Sequence, residues 1–317
     1  MLLIDLPRVL NARLNHSREA SSTSQYARLT QHDRRRFAAG AASLGLAVLL
    51  LAIKLWAWIV TGSVAVLGAT VDGVVDAGAS LVTLIGLLYA ARPPDSEHRW
   101  GHGKAEALAA LMQALFLIAA AAVVLLQALQ RLAHPEALIA VAFGIWVTSV
   151  SAIAATALVI FQSWMLRDAS SVAIVADRRH HIVDITANIA ALAALATTIV
   201  TGWQRADPLF ALGIAGFMLW NARGIAATAL AVLLDRELAD AERARIQAAV
   251  LGPSDVRALR WLRTRHAGDR IFIEFTIEVD GSLPVREGHA VADAAEKRVR
   301  MLFPDQTEVS VHVEPVE

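Results

Sequence analysis

The stretch "GATVDGVVDAGASLVTLIGLLYAA", residues 68–91, decides the fold. As a helix it is long and apolar enough to cross a bilayer, since about 20 residues span the hydrocarbon core. Yet it carries Asp72 and Asp76 in its first third. An ionised carboxylate in hydrocarbon costs roughly 2.5–3.5 kcal/mol even on lenient insertion scales, and a second like charge worsens the position. A helix bearing both is built to meet positive charge inside the membrane.

Composition agrees with a membrane setting. Hydrophobic residues make up 56% of the 317, mean hydropathy is +0.50, and charged residues fall to 18%, below the roughly 25% of soluble domains. Lys+Arg and Asp+Glu balance at 29 each, which gives no reason to expect a nucleic-acid partner. The chain has no cysteine, so His and carboxylates are the only strong ligands it can offer a transition metal. Asp5, Pro7 and Arg8 interrupt the apolar start, so no cleavable signal is read there.

Six candidate spans follow from length and hydropathy: residues 37–60, 63–91, 107–130, 137–166, about 170–200, and 208–234. The fifth is the most polar, with Asp177, Arg178, Arg179, His180, His181 and Asp184 in its first half. Trp56, Trp58, Trp164 and Trp203 lie near span ends, where interfacial aromatics gather. Arg34, Arg35 and Arg36 precede the first span, and Arg92, Arg99 and Lys104 follow the second. Arg167, Arg178 and Arg179 surround the start of the fifth, whereas the opposite connections hold Arg131 and Arg205. The excess of basic residues marks the cytoplasmic side, so both termini are expected there.

After Leu234 the composition becomes that of a soluble domain. "LADAERARIQAAV" reads as an amphipathic helix, and "IFIEFTIEVD" alternates as a half-buried strand. "SLPVREGHAVADAAEKRVRMLF" starts a second helix with Pro284 early, and "EVSVHVEPV" alternates again. One helix, two strands, a helix and a last strand make a small α+β domain of 82 residues from Arg236. The expected organisation is an N-terminal cytoplasmic arm at 1–36, open to disorder, a six-helix transmembrane domain at 37–234, and a cytoplasmic domain at 235–317.

Asp72 and Asp76 are four residues apart and share one helix face. In the fifth span His180 and Asp184 repeat that separation, and "DGVVDAGAS" echoes "HHIVDITAN". Two such helices packed face to face would gather three carboxylates and one imidazole inside the membrane. Four oxygen and nitrogen ligands in tetrahedral order suit Zn²⁺ better than Ca²⁺ or Mg²⁺. The same shell accepts Fe²⁺, Cd²⁺, Co²⁺ or Mn²⁺. Helix-packing polar pairs are the alternative, weakened by the presence of two such pairs in separate spans. His181 points about 100° from His180 and reads as a lining or outer group.

"VDGVVDAGAS", "RPPDSEHRWGHGKAEAL", "ADRRHHIVD" and "LLDRELADAERARI", in this order, resemble the cation diffusion facilitator family, in particular its bacterial efflux pumps of the YiiP (FieF) type. The resemblance covers roughly Phe37 to the C-terminus. It implies a homodimer in the bacterial inner membrane, six transmembrane helices per protomer, a cytoplasmic ferredoxin-like domain, and exchange of divalent metal for protons. It also implies that Asp72, Asp76, His180 and Asp184 are the transport-site ligands. Asp95, His98 and His102 match a loop metal site, and Lys104 with Asp235 matches a charge interlock that holds the helix bundles together. In the cytoplasmic domain His289, His312 and Glu314 match metal ligands, but Arg260 and Thr276 stand where the family pattern has histidines. A single weaker metal there, or none, is expected, with Arg260 supplying part of the missing positive charge.

Two readings of other classes compete. An intramembrane metalloprotease would need a motif such as H-E-x-x-H, which does not occur. A non-transporting metal sensor or scaffold needs no ligands at membrane depth, whereas an alternating-access carrier does. Charge counting favours exchange: three carboxylates carry −3, Zn²⁺ leaves −1, and the emptied site must take up protons.

Overall fold

The computed structural model describes residues 31–61, 64–134, 141–165, 171–252, 255–268, 270–303 and 307–316. Residues 1–30 of the expected arm lie outside these, as do Ser63, residues 137–140, Leu166 and Ser170 at the expected span ends. Six long helices come first: α1 (Gln31–Thr61), α2 (Val64–Ala90), α3 (Ala105–Ala133), α4 (Val141–Met165), α5 (Val172–Thr201) and α6 (Ala206–Leu233). All six are long and apolar enough to cross a membrane. Helix α1 runs back to Gln31, so Arg34, Arg35 and Arg36 form its opening turns.

The bundle packs through small residues. Ala110, Ala114, Leu117 and Ala121 of α3 meet Met218, Ala222, Ile225 and Ala229 of α6, joined by Ala176 and Val183 of α5. Lipid is as apolar as leucine, so close backbone approach replaces hydrophobic exclusion as the packing force. Gly86 shows the tightness required: a Cβ there would lie 2.5 Å from Ala109 Cβ, so only glycine lets α2 cross α3 at this point. The outward surface is apolar, with Ile59, Ile153, Ile160, Val200 and Trp220 all exposed. That inversion of the soluble pattern suits a hydrocarbon surround.

The C-terminal unit runs α7 (Asp240–Leu251), β1 (Ala258–Ala267), β2 (Arg270–Asp280), α8 (Val285–Leu302) and β3 (Thr307–Val316). β1 pairs antiparallel with β2, and β2 pairs parallel with β3, in the order β1-β2-β3. The alternation in β2 sends Ile273, Phe275, Ile277 and Val279 into one core with Ile246 and Val250 of α7 and Ala292, Ala295 and Val299 of α8. This is the α+β unit expected from the sequence.

Helix α6 ends where the two units join. Arg236 N–H donates to Ala231 O at 2.8 Å and Asp235 N–H to Val232 O at 3.3 Å, the bond pair of a Schellman end. Such an end needs a left-handed residue, and Asp235 takes it with φ 55; aspartate tolerates this region better than most side chains. The loop after α2 docks on the β1–β2 turn so closely that a Cβ on Gly103 would stand 2.2 Å from Ala267 O.

Candidate metal centre

Inside the bundle, α2 and α5 bring Asp76, His180 and Asp184 together, with one ligand atom from each within 4.8 Å of the others. His180 Nε2 lies 3.5 Å from Asp76 Oδ1 and 3.8 Å from Asp184 Oδ2. The imidazole is 4% exposed, yet neither of its ring nitrogens makes a hydrogen bond. Buried polar atoms are normally hydrogen-bonded, and these three side chains are close enough together to be able to hold a metal ion.

Asp72 is not in this trio. It stands one turn away on α2, exposed, with Lys54 of α1 near enough to interact electrostatically with both Asp72 and Asp184. Residues four apart share a face but are separated by about 6 Å along the axis, so one helix–helix contact can hold one acid of the pair and not the other.

The loop site is also assembled. Asp95, His98 and His102 form the second group with ligand atoms in mutual reach. Asp95 Oδ1 lies 3.3 Å from His98 Nδ1, and Asp95 Oδ2 lies 3.4 Å from His102 Nε2. The His98 backbone N–H donates to Asp95 Oδ1 at 2.6 Å and that of Glu97 at 2.9 Å. These bonds, that of His98 foremost, hold the Asp95 carboxyl below the ordinary carboxylate pKa, so the loop presents a charged ligand.

The cytoplasmic trio does not come together: among the described residues, His289, His312 and Glu314 form no such group. His289 sits 3.6 Å from Asp293 on α8, while His312 and Glu314 are 3.8 Å apart on β3. Arg260 pairs with Glu278 across β1 and β2, and Glu278 is the register partner of Glu314. A guanidinium thus occupies the acidic part of this face.

The sequence reading missed two buried clusters. Arg36 pairs with Glu106 at 3.3 Å, and Ser171 donates to the same carboxylate at 2.6 Å, tying α1, α3 and the start of α5. Asp177, 1% exposed, accepts from Gln162 Nε2 at 2.7 Å and from Gln113 Nε2 at 3.3 Å. The usable signal was the Asp177–His181 spacing, a second four-residue pair interleaved with His180–Asp184.

Comparison with known proteins identifies the family. The cation efflux transmembrane domain matches residues 41–234, and the cytoplasmic domain of cation efflux proteins matches residues 238–316. The chain is 41% identical over 277 residues to the cation-efflux pump FieF of Klebsiella pneumoniae subsp. pneumoniae, covering 87% of this chain and 92% of that one. It is 42% identical over 291 residues to FieF of Yersinia enterocolitica, covering 92% and 94%. Among solved structures, the MamM C-terminal domain in a cadmium form is 29% identical and covers 25% of this chain and 98% of that one, with a TM-score of 0.23. With matching models over both units and relatives at this identity over most of its length, the chain belongs to the cation diffusion facilitator family, as a cation-efflux protein of the FieF type.

Proposed function

We propose that the protein exports Zn²⁺ in exchange for protons by alternating access, binding the ion at Asp76, His180 and Asp184 with Asp72 as the fourth ligand. The observation that carries this reading is the buried His180 imidazole, without hydrogen bonds, between two carboxylates inside two membrane spans. Nitrogen and oxygen donors in a small shell favour zinc over the harder cations, and a rotation of α5 against α2 that brought Asp72 within reach would complete four ligands. Ligation requires deprotonated groups, so metal binding expels protons and metal release recovers them.

An even number of spans puts both ends of the transmembrane domain on one side. With the family's cytoplasmic domain attached to the second end, both termini face the cytoplasm in a bacterial inner membrane. The functional unit is a homodimer, with Lys104 and Asp235 bracing each protomer where the bundle meets its soluble domain. Purified protein in liposomes is expected to take up Zn²⁺ against an opposing proton gradient, and Asp76→Ala or His180→Ala to abolish the flux. Wild-type-like flux in either variant would overturn the site. Competition by Fe²⁺, Cd²⁺, Co²⁺ and Mn²⁺ in the same assay would rank the cargo.

A further inference from the structure

Helix α5 carries two interleaved pairs of opposite order. His180 and Asp184 face the metal centre; Asp177 and His181, four apart in the same way, are rotated about 100° from them. His181 is 7% exposed. Its Nδ1 lies 3.4 Å from Asp184 Oδ2, the oxygen that also faces His180. On the far side of the ring, Nε2 is 3.0 Å from Ser43 Oγ and 3.6 Å from Asp177 Oδ2.

The groups behind His181 come from all four preceding helices. Ser43 of α1 is 3.0 Å from Ser80 Oγ of α2. Gln113 of α3 donates to Asp177, to Ala79 O at 3.0 Å and to Thr83 Oγ1 at 2.8 Å, the last two on α2. Gln162 of α4 donates to the other Asp177 oxygen. Gln113 and Gln162 are fully buried. Apolar packing of similar volume would hold these helices at least as well, because a buried ionic group rarely adds net stability. The arrangement does one thing that apolar packing cannot: it ends in a nitrogen aimed at a metal ligand.

We propose that His181, anchored by Ser43 and Asp177, is a positioning residue that sets the orientation of the Asp184 carboxylate for the transported cation. This rests on the transport-site reading above. Nε2 faces the acceptor-only Asp177 carboxylate and Ser43 Oγ, and a proton on Nδ1 faces Asp184 Oδ2. One lone pair of that oxygen is then engaged from outside, and the carboxylate can no longer rotate freely about its last bond. Partners of metal ligands in this position typically contribute 10–100-fold in metal affinity. The gap of 3.4 Å is at the long end of hydrogen-bond reach.

The test separates the two sides of the ring. Asparagine at 181 keeps a donor near the Nδ1 position, toward Asp184; glutamine keeps one near the Nε2 position, toward Ser43 and Asp177. Zinc affinity is measured calorimetrically on the full chain in detergent, with His98→Ala and His102→Ala present to silence the loop, and the unfolding temperature is recorded for each variant. His181→Gln is expected to weaken Zn²⁺ binding about 10–100-fold, and His181→Asn to retain most of the affinity. Equal losses that track the unfolding temperature, or wild-type affinity in His181→Gln, would overturn the proposal and leave a structural role. Asp76→Ala is run in parallel. If it binds zinc as the parent does, the transport-site reading itself fails, which is a different outcome from failure of His181 alone.

Discussion

Lys104 Nζ lies 3.0 Å from Asp235 Oδ1 within one chain, joining the loop after α2 to the left-handed residue that ends α6. Arg265 of β1 also reaches Asp235, at 3.4 Å, so one carboxylate ties together a loop, a transmembrane helix and the soluble sheet. Both members of the first pair are more than one-third exposed, and such pairs contribute only about 0.2–1 kcal/mol each. Geometry is their main role: they fix where the soluble domain sits.

Charge reversal should therefore act unequally at the two ends. Asp235→Lys loses two ionic partners, whereas Lys104→Glu loses one ionic partner and a hydrogen bond to Leu233 O, so the first should lower transport and the dimer fraction more. The double reversal should restore only part of the loss, because Arg265 then faces a like charge at position 235 that it cannot pair with. Asp235→Gly isolates the ionic contribution, since glycine keeps the left-handed turn. Dimer fraction by light scattering and zinc flux in liposomes measure both; single reversals without effect would remove the interlock.

The loop site depends on close docking. A valine at position 103 would place its Cβ against Ala267 O, so Gly103→Val should push the loop off the β1–β2 turn. Expected are weaker zinc binding at Asp95, His98 and His102 and faster proteolysis between α6 and α7, with ion binding at Asp76, His180 and Asp184 retained. Unchanged protease sensitivity would show that the loop does not brace the soluble domain.

Burial holds the His266 pKa below the ordinary histidine value, with Glu242 opposing the shift. The folded state thus favours the neutral ring, and the unfolded chain takes the proton first as pH falls. The stabilisation is fully present above about pH 6.5 and is lost as pH drops through that value toward the folded pKa. His266→Gln should flatten the acid limb of thermal stability between about pH 7 and 5. An acid limb as steep as that of the parent protein would assign the effect to other groups.

Proton exchange has its own count. Zinc affinity should fall steeply from about pH 7 to 5.5, with more than one proton released per zinc near the lower end. Calorimetry in buffers of different ionisation enthalpy counts the protons, and His180→Ala should flatten the dependence. An affinity independent of pH over this range would sink antiport.

Much of the architecture was legible in the chain because its signals are local. Six apolar runs of bilayer length, the break in composition after Leu234 and the alternation in "IFIEFTIEVD" each need only neighbouring residues to be read. The four-residue spacing also singled out Asp76, His180 and Asp184, and the compact loop motif singled out Asp95, His98 and His102. What spacing could not say was how α2 and α5 meet. Asp72 and Asp76 look equivalent in sequence, yet their axial separation lets the structure group Asp76 with His180 and leave Asp72 beside Lys54.

The long-range partners were beyond the chain's own evidence for the same reason. Nothing local to Ser43, Gln113 or Gln162 shows that they converge on Asp177 and His181, because they arrive from α1, α3 and α4. Likewise His289 is separated from His312 and Glu314 by the packing of α8 on the sheet, although a motif places all three together. The sequence by itself determined the solvent, the number of spans, the two units and the donor types, since these follow from composition and from periodicities within single helices and strands. Tertiary structure decided which donors share a point in space, because that depends on helix crossings set by small residues such as Gly86 and Ala109, whose contacts lie far apart along the chain.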